Sequence, residues 1–310
     1  MTINVLFAAH ADRWASYEAP LNAAFADEGL EVHLSCDIAP ADVDYVVYAP
    51  NSPVQDFTPF SRAKAVLNLW AGVEGVVNNP TLDIPLARMV DPGMTKSMTE
   101  WVAGHVMRYH LGMDRHIVNP DGSWAPHTPP LASERQVSIL GMGALGSAVA
   151  EVLSTLGFQV IGWSRRAKER PGITLYHGAD GLAAALSKAE ILVLLLPDTK
   201  ATENILDAPA LALLPRGAFV INPGRGPLID DDALLKAVDQ GQVAGATLDV
   251  FRTEPLPADH PFWAHPRITV TPHIAAETRP STAARVIAEN IRRGEAGLPF
   301  LHLVDRGSGY

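Results

Sequence analysis

Gln136-Val137-Ser138-Ile139-Leu140-Gly141-Met142-Gly143-Ala144-Leu145-Gly146 decides the fold of this chain. An apolar run that reads as a strand ends in Gly-x-Gly-x-x-Gly, and Ala148 to Leu156 reads as the following helix. Glycine at the second place lets the backbone approach a pyrophosphate, and the helix start offers free N–H groups and a positive dipole end. Met142, Gly143, Ala144 and Leu145 are therefore candidate cofactor contacts. The bland alternative is a tight strand-to-helix turn with no ligand.

Outward from this turn, further short apolar runs follow at Gln159 to Trp163, Ile191 to Leu196, Ala218 to Asn222, Gly245 to Val250 and Ile268 to Thr271. Six strands alternating with helical stretches give the rhythm of a doubly wound dinucleotide fold. The N-terminal third repeats the rhythm. Ile3 to Ala9, Glu31 to Leu34, Tyr45 to Tyr48 and Ala65 to Trp70 read as strands, with a helix over Ala19 to Glu28 stopped by Gly29. Thr95 to Leu111 reads as a long helix able to bridge two domains, Asn119 to Pro130 as a proline-rich arm, and Ser281 to Arg293 as a last helix that returns to the first domain. The expected fold is α/β with two Rossmann-like domains, one flavodoxin-like and one dinucleotide-binding, each on a parallel sheet. Residues 1–99 with 274–310 would form the substrate domain, and 100–273 the cofactor domain.

The 310 residues suffice for a sizeable core, and 47% hydrophobic against 19% charged residues fits a folded globular chain. The net charge of -10 argues against nucleic acid or an anionic membrane as partner, since both demand basic surface. The one cysteine, Cys36, excludes an internal disulfide and a thiolate cluster. It follows an apolar alternation and is expected in the core. No apolar run is long enough for a membrane span, and no signal peptide is visible at the start. The expected compartment is the cytoplasm.

The strand after the glycine turn ends Gly162-Trp163-Ser164-Arg165-Arg166, with Lys168 close behind. A site for NAD places an acid there, about 20 residues on, for the ribose 2′-hydroxyl. Here a hydroxyl and three cations stand instead, and guanidinium suits a 2′-phosphate. Ser164, Arg165 and Arg166 thus point to NADPH over NADH, against the alternative of a solvated basic loop.

Three chemistry-bearing residues follow later strands. Arg225 lies between Gly224 and Gly226, Glu254 before Pro255-Leu256, and His273 after Thr271-Pro272. An arginine stays charged at any working pH, so it binds and polarises. Reduction of a ketone leaves an alkoxide that needs a proton near neutrality, and histidine suits that task. A carboxylate beside it would keep the ring charged and aimed. The other histidines show no shared metal-ligand spacing, so no metal is expected.

At these residues the chain resembles the D-isomer-specific 2-hydroxyacid dehydrogenase family, and in particular its bacterial glyoxylate/hydroxypyruvate reductase branch. The matching pieces span nearly the whole sequence: Trp70-Ala71-Gly72-Val73-Glu74, Asp91-Pro92-Gly93-Met94, the glycine turn, Leu195-Leu196-Pro197-Asp198-Thr199, Leu248-Asp249-Val250-Phe251, Glu254-Pro255-Leu256-Pro257, Thr271-Pro272-His273 and the tail Val304 to Tyr310. The resemblance implies an active site in the interdomain cleft, with Arg225, Glu254 and His273 as catalytic trio. Trp70, Ala71, Gly72 and Val73 would meet the substrate beside Arg225, the amides near Gly72 and Val73 cradling its carboxylate. Leu196 and Pro197 would wall the adenosine pocket, and Asp249 would hold the nicotinamide carboxamide. It further implies a homodimer that exchanges the arm around Trp124. Departures are Trp70 in place of a small residue, Glu74 in place of aspartate, and Pro223-Gly224 before the arginine. The activity so implied is reduction of glyoxylate and hydroxypyruvate by NADPH, with His273 as general acid. Two alternatives stay open: a bulkier 2-oxo acid such as phenylpyruvate, and a cofactor-sensing binding protein on the same fold.

Overall fold

A computed structural model describes residues 2–117 and 122–307. The chain divides into two units, Met1–Met94 with Glu277–Tyr310, and Thr95–Ala276. These junctions differ from the expected 99/100 and 273/274. The first falls inside one continuous helix, Pro92–His110, where no local signal marks a boundary. Asn119, Pro120, Asp121, Ser308, Gly309 and Tyr310, which belong to the expected arm and tail, lie outside the described residues.

The first unit holds a parallel sheet of β1 (Ile3–Ala8), β2 (Val32–Ser35), β3 (Tyr45–Tyr48), β4 (Ala65–Asn68) and β5 (Leu86–Ala87), in the order β2-β1-β3-β4-β5. The pleat sorts its side chains. Val5, Phe7, Tyr45, Val47 and Leu67 pack on one side with Leu21, Phe25, Ile287 and Ile291 of the helices Trp14–Asp27 and Pro280–Glu295. Leu6, Val46, Tyr48 and Val66 pack on the other with Phe57, Phe60, Val73 and Leu82. Both faces are covered at the inner strands, which is why β3 reads as an unbroken apolar run, whereas the edge strand β2 alternates.

The first helix starts at Trp14 and runs through Pro20, five residues before the expected start at Ala19. Proline lacks only one helix donor, and Tyr17, Leu21, Ala24 and Phe25 share a buried face that holds the segment helical. Cys36 is exposed, not in the core. It stands just past the end of β2, and β2 is an edge strand with little to cover its end.

The second unit is a seven-stranded parallel sheet: β6 (Gln136–Leu140), β7 (Gln159–Ser164), β8 (Thr174–His177), β9 (Ile191–Leu194), β10 (Ala218–Asn222), β11 (Val243–Leu248) and β12 (Ile268–Val270). The order is β12-β11-β10-β9-β6-β7-β8, so the winding direction reverses at β6. In such sheets ligands sit beyond the carboxyl ends of the strands at that reversal. Sequence reading expects six strands. The seventh, β8, is a half-exposed edge strand, Thr174-Leu175-Tyr176-His177, with no apolar run to announce it. Two polar residues inside the sheet are satisfied: Ser138 Oγ donates to the Ala185 carbonyl at 2.9 Å, and Thr247 Oγ1 meets the Tyr109 hydroxyl at 2.7 Å. No helix among the described residues is long and apolar enough to cross a membrane.

Candidate active site

The glycine turn lies at the carboxyl end of β6, the interior strand where the winding reverses. Each glycine answers a different constraint. Gly141 has φ +109°, and a Cβ there would stand 2.3 Å from the Leu195 carbonyl oxygen. A Cβ on Gly146 would stand 1.9 Å from the Gly141 carbonyl oxygen. Gly143 is different: nothing lies within 4 Å of its absent Cβ, and its φ is an ordinary -81°. The protein itself has no need of a glycine there. A phosphate brought against the backbone does, and Gly143 also precedes the helix Ala144–Thr155, whose first turn has no side-chain cap. The residues present therefore fit a dinucleotide.

A depression of about 660 Å³ opens beside this turn, lined by Met142, Gly143, Ala144, Ser147, Lys168 and Arg170 among others. Arg165 and Arg166 are exposed just past β7. Ser164 is buried, and its hydroxyl donates to the Arg166 carbonyl at 2.7 Å. Its single proton is thus used to hold the loop. Lys168 does what the sequence does not reveal: its Nζ donates to the Met142 carbonyl at 2.7 Å and pins an ammonium over the glycine turn. Leu196 and Pro197 follow β9 at the same edge of the sheet, Leu196 buried and Pro197 half-buried.

Arg225, Glu254 and His273 follow β10, β11 and β12, three adjacent parallel strands, so the topology delivers all three to one edge of the sheet. Glu254 Oε2 stands 2.7 Å from His273 Nδ1. Glu254 Oε1 accepts the Phe251 amide at 2.9 Å, so the carboxylate is itself held in place. The Arg225 turn is fixed by Asn222, which is buried: its Nδ2 donates to the Arg225 carbonyl at 2.9 Å, and its Oδ1 accepts the Gly224 amide at 3.1 Å. Gly226 is pressed onto the Glu254 loop, because a Cβ there would stand 2.0 Å from the Phe251 carbonyl carbon. Arg252 closes the same junction, donating to Asn204 Oδ1 and to the carbonyls of Pro227 and Ile229. Phe251 and Asn222 carry no charged group, and nothing in the spacing shows that the Arg252 guanidinium serves the fold, so spacing alone does not single them out.

Asp249 braces the His273 turn. Its carboxylate is fully buried, and Oδ1 accepts Thr271 Oγ1 at 2.6 Å and the Ile274 amide at 2.9 Å, while Oδ2 accepts the Ala275 amide at 2.9 Å. His273 sits in that turn with φ +54°, a left-handed conformation rare for a side chain with a Cβ. Its own amide donates to the Asp249 carbonyl at 2.9 Å. Local strain of this kind persists only where neighbours fix it, and Asp249 does so.

In the first unit, Trp70, Ala71, Gly72 and Val73 form the turn after β4. Trp70 is 42% exposed, so its indole is not core packing beneath the turn.

The family model for the D-isomer specific 2-hydroxyacid dehydrogenase NAD-binding domain matches residues 105–275. The chain belongs to that family of oxidoreductases. It is 41% identical over 282 residues to the glyoxylate/hydroxypyruvate reductase A of Serratia proteamaculans (strain 568), covering 88% of this chain and 89% of that protein. A D-isomer specific 2-hydroxyacid dehydrogenase from Xanthobacter autotrophicus Py2, solved with NADPH and MES, superposes with a TM-score of 0.93 at 39% identity over 100% of both chains. The NADPH-dependent glyoxylate/hydroxypyruvate reductase of Sinorhizobium meliloti, solved with NADP and sulfate, gives 0.85 at 35% identity, covering 100% of this chain and 99% of that one.

Proposed function

We propose that the protein reduces small 2-oxo acids, glyoxylate to glycolate and hydroxypyruvate to D-glycerate, with NADPH as reductant. The single observation that carries this reading is the Glu254–His273 pair at 2.7 Å, held beside the Arg225 turn at the edge where the glycine turn opens. Bound reduced nicotinamide supplies the hydride. Arg225 pairs with the substrate carboxylate and draws electron density toward the carbonyl oxygen. The amides of Gly72 and Val73 offer a carboxylate further donors, and Trp70 limits the size of the substrate's C3 group. As the oxygen becomes an alkoxide, His273 gives it the proton from Nε2 while Nδ1–H stays on Glu254. Gly143 and the helix start hold the pyrophosphate, Leu196 and Pro197 the adenosine, and Arg165 and Arg166 the 2′-phosphate.

Cofactor binding and the catalytic trio fall to the second unit, and the Trp70–Val73 turn to the first. The protein acts as a cytoplasmic homodimer in this reading. Trp124 is 95% exposed, Leu131 69% and Ile117 66%, an apolar stretch that a second copy would cover. The deciding assay mixes pure protein with NADPH and glyoxylate and follows loss of the reduced-nicotinamide absorbance. No loss with glyoxylate, hydroxypyruvate or phenylpyruvate would leave a binding protein.

A further inference from the structure

We propose that Asn68 is a positioning residue for the substrate carboxylate, acting by holding the Trp70–Val73 turn as an anion cradle. The proposal rests on the reading that this turn receives the carboxylate.

Asn68 closes β4 and is buried, 1% exposed. Its side-chain Nδ2 has two protons and spends both on the following turn, donating to the Trp70 carbonyl at 2.9 Å and the Gly72 carbonyl at 2.9 Å. Neighbouring carbonyls are engaged too. Leu69 O accepts Thr278 Oγ1 at 2.9 Å, Trp70 O also accepts the Met89 amide at 3.0 Å, and Val73 O accepts the amides of Val76 and Val77. The donors show the opposite pattern. The N–H groups of Ala71, Gly72 and Val73 make no hydrogen bond to any described residue, although Val73 is only 2% exposed.

Buried backbone donors are nearly always paired. A run of successive unpaired N–H groups, flanked by the tied-down carbonyls of Trp70, Gly72 and Val73, is a concavity of positive partial charge, suited to an anion. Asn68 makes that asymmetry, because an amide reaching two carbonyls two residues apart fixes how the intervening peptides face. Its own Oδ1 is buried without a partner among the described residues. The amide is thus oriented by what it gives to the turn, and its acceptor is left unsatisfied in exchange. An apolar residue, which would suit the end of a buried strand, could not do this.

The test compares wild type with Asn68→Leu, a neutral variant of similar size, and Asn68→Ser, which keeps one short donor. Each is assayed with NADPH against glyoxylate and against its neutral carboxamide, glyoxylamide. Wild type should strongly prefer the acid. Asn68→Leu should raise KM for glyoxylate roughly tenfold to hundredfold, the scale of one lost hydrogen bond to a charged group. Its NADPH affinity and its glyoxylamide kinetics should stay within about twofold, with Asn68→Ser between. A folded Asn68→Leu with unchanged KM for glyoxylate, or with equal losses on acid and amide, overturns the positioning role. Should Asn68→Leu fail to fold, Asn68→Ser decides by the same ratio. A wild type indifferent to acid or amide defeats the cradle itself, and the proposal falls with it.

Discussion

Glu254 and His273 stand 2.7 Å apart, carboxylate oxygen to Nδ1, with the other carboxylate oxygen on the Phe251 amide at 2.9 Å. The pair is therefore oriented from both ends. The carboxylate cannot swing away without losing a backbone bond, and the ring is left with Nε2 for the substrate. His273→Ala should lower turnover by about a hundredfold or more, the usual scale for losing a general acid. Arg225→Ala should lower kcat and raise KM together, because the guanidinium acts on ground state and transition state alike. Normal steady-state rates in either variant would remove the trio.

Glu254→Gln keeps the size of the side chain and removes its charge. The neutral amide oxygen holds the His273 ring less firmly than the carboxylate does at 2.7 Å. Turnover should fall roughly tenfold to hundredfold, the scale for losing such an orienting partner, which steady-state rates will read. Unchanged turnover would remove Glu254 from the trio.

Arg165 and Arg166 stand exposed beyond β7, with Ser164 committed to the Arg166 carbonyl. Arg165→Glu or Arg166→Glu should raise KM for NADPH by roughly tenfold or more, the scale of a charge-assisted bond. KM for NADH should change little. Wild-type protein that uses NADH better than NADPH would refute the assignment without touching the fold.

Trp70→Ala should raise relative activity on phenylpyruvate against glyoxylate, since an indole that is 42% exposed fills space outside the core. For the same reason its stability cost should fall below the about 3–5 kcal/mol of a buried tryptophan. Substrate ranking and thermal melts measured on one preparation will separate a pocket wall from packing.

His110 is 6% exposed, its ring is edge-on to Phe158 at 5.0 Å, and its Nδ1 has no partner among the described residues. Burial, then the nearby Arg135, holds it below its ordinary value of 6.5. As pH falls through 6.5 the unfolded chain takes up a proton that the folded chain resists. Stability should therefore drop from there toward the lowered native value and level off below it. Thermal melts over that range should show the drop, and His110→Phe should flatten it. An equally steep fall in the variant would place the effect elsewhere.

The sequence by itself determined the α/β class, most of the strands and the reactive groups. Buried parallel strands must be apolar throughout, so β3 and β10 stand in the sequence as unbroken runs. Gly141 and Gly146 are forced by contacts that no Cβ could enter, and reactive side chains name themselves by their chemistry. The seventh strand was not legible, because an edge strand needs little apolar surface and Thr174–His177 has little. Only the tertiary structure decided what holds the reactive groups. Asp249, Asn222, Phe251 and Asn68 act through hydrogen bonds between segments distant in sequence or through backbone groups that every residue shares. A carboxylate in a one-dimensional string does not show which amides it accepts, and Asp249 accepts those of Ile274 and Ala275. Burial and partner identity are properties of the packed chain, and they reveal Asp249 as the support of the His273 turn.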